Sequence, residues 1–125
     1  MASPPRLALA ATLALVACGR EERRELERTL ASVERLRDAD GPARPAALEA
    51  LDALTTSLPE AARARTACLD AYRALDATNR LVADAKGPPI DRGKLDAAER
   101  SLREARTGLE SCQAATTALR RRFER

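Results

Sequence analysis

The chain has 125 residues, among them 28 alanines, one tyrosine, one phenylalanine and no tryptophan. Strong helix formers therefore dominate, and the β-branched and aromatic residues that favour strands are scarce, so an all-α chain of one domain is expected. Its 22 bases, 20 of them arginine, face 19 acids, and that near balance argues against a nucleic-acid binder, which needs a one-sided basic face.

At the start, Met1 to Arg6 carry the terminal amine and one arginine, and Leu7 to Ala17, LALAATLALVA, form an apolar run of eleven residues. A transmembrane helix needs about 20 such residues, so the run suits the apolar part of an export signal instead. The next step, Leu15-Val16-Ala17-Cys18, resembles the lipobox of bacterial lipoproteins. The resemblance implies that Cys18 receives a diacylglyceryl group and often a third acyl chain such as palmitate. It also implies that residues 1–17 are removed as a signal peptide and that 18–125 form the mature domain. Two or three acyl chains give stable membrane attachment, where one does not. Gly19 follows the cysteine, where the enterobacterial inner-membrane signal is aspartate, so the expected address is the outer membrane, facing the periplasm. Two alternatives stay open: cleavage after Gly19 to give a soluble periplasmic protein, and an ordinary helix of a cytosolic one.

In the mature region two Pro/Gly clusters, DGPARP at 40–45 and KGPPIDRG at 86–93, end helices. A softer break, SLPE at 57–60, pairs Ser57 with Glu60 as a capping box. Helices are expected over about 20–39, 45–56, 58–86 and 92–124. Asp91 is placed to cap the last, with Ile90 and Leu95 as its hydrophobic staple. Leu26, Leu30, Val33 and Leu36 line one side of the first helix, and Leu48, Leu51, Leu54 and Leu58 line the second. The third and fourth carry unbroken heptads, Ala61 to Ala85 and Leu95 to Phe123. Folding back at Ile90 sets Leu75 against Ala105, Ala71 against Leu109, Thr78 against Leu102 and Cys68 against Cys112, large against small. The fold class is therefore a small antiparallel helical bundle with a long helix 3–helix 4 hairpin.

With Cys18 lipidated, Cys68 and Cys112 are the remaining pair, and in an oxidising compartment they are expected to form a disulfide that staples a thin core. A redox or metal site is disfavoured: the chain has no C-x-x-C and no histidine, which removes the commonest general base and metal ligand. No phosphate loop or nucleophile elbow occurs. Asp70–Arg73, Asp76–Arg80, Asp96–Arg100 and Glu99–Arg103 read as solvated helix pairs. No catalytic residue, metal or cofactor is expected, and the chain is not read as an enzyme. Tyr72 should cover the core edge, and Gly108 is either a point of close approach for helix 1 or 2 or a tolerated weak spot in the helix.

Arg120, Arg121 and Arg122 close the last helix. Arginine there suits the helix dipole. In an up-down-up-down bundle the three also lie at the Cys18 end, where they would meet lipid headgroups. The expected role is a membrane-anchored structural or adaptor module for an unidentified envelope protein. The alternative is a carrier or chaperone-like binder with an apolar groove on the hairpin beside Leu69, Tyr72 or Leu81.

Overall fold

A computed structural model describes the backbone of residues 4–125 and the side chains of residues 19–125. Four α-helices follow one another: α1 (Pro4–Asp38), α2 (Arg44–Asp52), α3 (Pro59–Ala85) and α4 (Arg92–Glu124), with a 3-10 turn at Gly41–Ala43 between the first two. No strand occurs among the described residues. The signal-peptide boundary and the lipidation of Cys18 concern residues outside those whose side chains are described.

The first turn works because Gly41 takes φ +44°, a left-handed conformation that side chains resist. α2 then stops at Asp52, not at residue 56 as its pattern suggested. Thr55 and Thr56 are poor helix formers, and residues 53–58 are needed to carry the chain back to the start of α3. The capping box is also absent. Leu58 is the N-cap of α3, without a side-chain cap of its own. Asp91 does cap α4, accepting from the Gly93 N–H at 2.8 Å, but the staple around it does not close, since Ile90 is 77% exposed and Leu95 46%.

The helices run up, down, up, down. Leu26 of α1 packs with Ala61, Ala64 and Leu119 in one cluster. Val33 and Leu36 pack with Ala47, Leu51, Cys68, Leu69, Tyr72 and Cys112 in a second. Leu36, Leu51 and Leu119 have no exposed surface, and complete burial of such a side chain contributes about 1.5–3 kcal/mol. Leu58, expected on α2, joins the first cluster from the α3 cap.

The α3–α4 hairpin folds back about Ile90 as expected at the disulfide, and two contacts between there and the turn are one residue off. Thr78 meets Ser101, hydroxyl to hydroxyl at 2.7 Å, in place of Leu102. Gly108 admits α3, not α1 or α2: a Cβ there would lie 3.2 Å from the Cα of Ala71. At 1.5 Å per residue, α3 and α4 span roughly 40 and 50 Å, α1 from Gly19 onward roughly 30 Å and α2 roughly 14 Å. The shorter pair covers only the lower part of the hairpin.

Candidate functional site

Two regions hold residues singled out by sequence, and a third holds residues that were not. The first is the end of the bundle nearest Cys18. Glu22 pairs with Arg122 at 3.6 Å, and the Arg23 guanidinium stands 4.6 Å from the Phe123 ring centre. The stretch of α1 just after Cys18 and the end of α4 therefore share one end. Arg120 reaches up α1 to Glu34 at 3.0 Å. Arg121 is exposed and makes no ion pair among the described residues. The tail is thus two-thirds engaged with α1, which the charge run alone did not indicate.

The second is the staple. Cys68 and Cys112 are joined as a disulfide with Cα atoms 4.6 Å apart, within the 4.4–6.8 Å such bonds use. Alanines and Gly108 on the facing surfaces permit that approach. One turn on, the Thr116 hydroxyl donates to the Cys112 carbonyl at 2.7 Å. Both cysteines are buried.

The third is a set of clasps at helix ends that the sequence patterns missed. Glu25, on α1 and only 8% exposed, accepts from the Ser57 N–H at 2.6 Å, the Ser57 hydroxyl at 2.9 Å and the Leu58 N–H at 2.8 Å. Burial works to raise its pKa, but the two backbone N–H groups, the hydroxyl and the Arg28 charge together outweigh it and hold the carboxyl below its ordinary value. A negative charge at the start of a helix is also where the dipole favours it. Arg44 does the reverse at the end of α1: it donates to the Ala39 carbonyl at 3.1 Å and to Asp76 at 3.0 Å. Its guanidinium lies 5.6 Å from the Tyr72 ring centre. Burial raises the Tyr72 pKa against the pull of that neighbouring cation. Arg65 serves α2, donating to the Leu51 carbonyl at 3.2 Å and the Asp52 carbonyl at 2.5 Å. None of the four expected local ion pairs closes. Asp76 takes Arg44 instead, and Arg73 takes Asp52 at 3.3 Å. A signal existed in principle, since each clasp puts the charge that suits the dipole at an orphan helix end. Finding it required the tertiary fold.

Two of the grooves on the hairpin bear on the expected apolar binding face. One, of about 360 Å³, runs between α1 and α4, with Val33, Tyr72, Leu109 and Cys112 as its floor and Arg37, Gln113, Thr117 and Arg120 among its rim. The other, of about 230 Å³, lies at the uncovered tip and is lined by Val82, Ala85, Leu95, Ala98 and Leu102, with Lys86 and Glu99 at its border. Leu69 is buried and offers no groove, because α2 lies over it. Among the described residues no three His, Cys, Asp or Glu side chains group to hold a metal ion. No helix there is long and apolar enough to cross a membrane. The chain matches no known protein family, no curated protein and no solved structure.

Proposed function

We propose that this chain is a lipid-anchored, non-catalytic helical protein of a bacterial envelope that presents its bundle as a docking module for other envelope proteins. The observation that carries the reading is Leu15-Val16-Ala17-Cys18 after an apolar run, in chain continuity with α1. Only three residues lie between Cys18 and Glu22, the first α1 side chain paired with α4. With no linker between them, an acylated Cys18 would hold the bundle against the membrane. Arg121 would then face headgroups directly, and Arg122 would do so beside Glu22, whereas Arg120 is turned up α1 toward Glu34. Each base near an anionic surface adds about 1 kcal/mol. The likeness is to bacterial lipoproteins, so the outer membrane and periplasm are the proposed address.

Metabolic labelling with a clickable fatty acid tests the anchor. The wild-type chain should be labelled and sediment with membranes, while Cys18→Ala should be unlabelled and soluble. A wild-type chain that takes up no label and stays soluble ends the proposal.

The groove between α1 and α4 favours a second reading, a carrier for a small amphipathic anion, with Leu109 and Tyr72 against its apolar part and Arg37 near its charge. Anilinonaphthalene sulfonate is a suitable probe. It should bind the folded protein and be lost in Leu109→Arg at unchanged helicity. Absence of binding removes this reading.

A further inference from the structure

The large apolar side chains left exposed are Ile90, Leu95 and Leu102, and all three lie in the part of the hairpin that α1 and α2 do not reach. Leu95 and Leu102 are one heptad apart, at the position occupied lower down by Leu109, which α1 half-buries. Val82 of α3 lies beside Leu95 and Leu102 in the same groove. The tip thus continues a core-facing stripe past the end of its cover. We propose that this tip is a self-association surface, on which a second copy, anchored in the same membrane, lays its own Val82, Leu95 and Leu102 across a two-fold axis running along the hairpins. The proposal rests on the lipid-anchored reading above.

Charge selects the second copy as occupant. The charged residues that border the groove are one base and one acid on opposite sides, Lys86 at the end of α3 and Glu99 on α4. A two-fold axis along the hairpins sets α4 of each copy beside α3 of the other. Glu99 of each copy then lies against α3 of its mate about 7 Å down the axis from Lys86, an offset that the two long side chains span together, so one patch is complementary to itself, as an isologous contact requires. Anchors in one membrane demand this same side-by-side orientation. The patch is a few side chains wide, far below the roughly 800 Å² per partner of a stable soluble interface. Confinement to a surface raises the effective concentration that such a contact needs.

The test uses the full chain in native membranes with a short bismaleimide crosslinker. With Cys18 acylated and Cys68 and Cys112 oxidised, the wild type has no free thiol and should give no product. Leu102→Cys should give a dimer. Glu104→Cys, at a similar height and on the far side of α4, should give little. Adding Glu99→Lys to Leu102→Cys should lower the dimer yield about fivefold by setting like charges together, and adding Lys86→Glu to that variant should restore it. Circular dichroism of the purified variants, unchanged at these exposed sites, certifies the fold. A membrane-bound Leu102→Cys chain that stays monomeric, crosslinks no better than Glu104→Cys, or captures only a different protein overturns self-association and leaves the anchor standing. A wild-type chain that crosslinks through Cys18, or variants found in the soluble fraction, overturn the anchor and this pairing with it.

Discussion

Glu25 is the residue on which the start of α3 depends. Its carboxylate satisfies two backbone N–H groups that have no partner inside their own helix, and an orphaned buried donor costs about 1–3 kcal/mol. Glu25→Gln keeps an acceptor but loses the charge, so it should lower unfolding stability at neutral pH by about 1–2 kcal/mol. The pH dependence has a definite sign. The folded carboxyl titrates below its ordinary 4.5, so on acidification the unfolded chain binds its proton first. The stabilisation is complete above about pH 5 and is lost as pH falls from there through the depressed folded value. Urea unfolding between pH 7 and 3 should show wild type and Glu25→Gln converging as pH drops, and parallel curves would deny the carboxylate this role. Sequence could not identify this cap. The local pattern offered Glu60, three residues from Ser57, whereas the partner lies 32 residues away on another helix. A capping box needs only local geometry, but a cap supplied by another helix needs the packing angle of α1 on α3. Arg44 and Arg65 were illegible for the same reason, and so was the diversion of Asp76 and Arg73 from their near neighbours.

At the scale of elements, the α3–α4 hairpin was the most legible part, and the reason is local. Gly87, Pro88 and Pro89 cannot continue a helix. Once the turn is placed there, heptads on both arms leave one register in which small residues meet large ones and the two cysteines meet. The boundaries of α2 and the Thr78–Ser101 contact were not legible, because they follow from how α1 and α2 lie across that hairpin. The element-level predictions concern how tightly the arms are held. Reducing the disulfide, which joins residues 44 apart, should lower stability by about 4 kcal/mol in the chain-entropy model, read as a lower urea midpoint. Gly108→Ala should gain about 1 kcal/mol of helix propensity, yet its Cβ would sit 3.2 Å from the Ala71 Cα. Ala71 lies one turn from Cys68, and a cross-linked backbone has little room to yield. The substitution should therefore destabilise the oxidised protein. It should be milder, or even stabilising, in a background carrying Cys68→Ser and Cys112→Ser, where the arms can part. Equal effects in both backgrounds would show that the staple does not set this distance.

At the scale of the molecule, the architecture is lopsided. Both ends of the polar bookkeeping, the Glu25 clasp and the Glu22–Arg122 pair, lie toward Cys18, and the four-helix core ends where α1 stops at Asp38. Helix lengths read from sequence already implied that part of the hairpin would be bare. Which part was missed, because α2 was not known to lie over Leu69. Beyond the core only two helices hold one another, with Ala85, Ala98 and Thr78 as their buried contacts. Such a segment opens at far lower free energy than the global transition. In deuterium labelling, amides of residues 80–104 should therefore exchange first, and the front of uptake should advance from the turn at 86–91 down both arms together. The covalent bridge between Cys68 and Cys112 is where that front should halt, so that the bridge separates a slowly breathing mast from a base that exchanges only when everything melts.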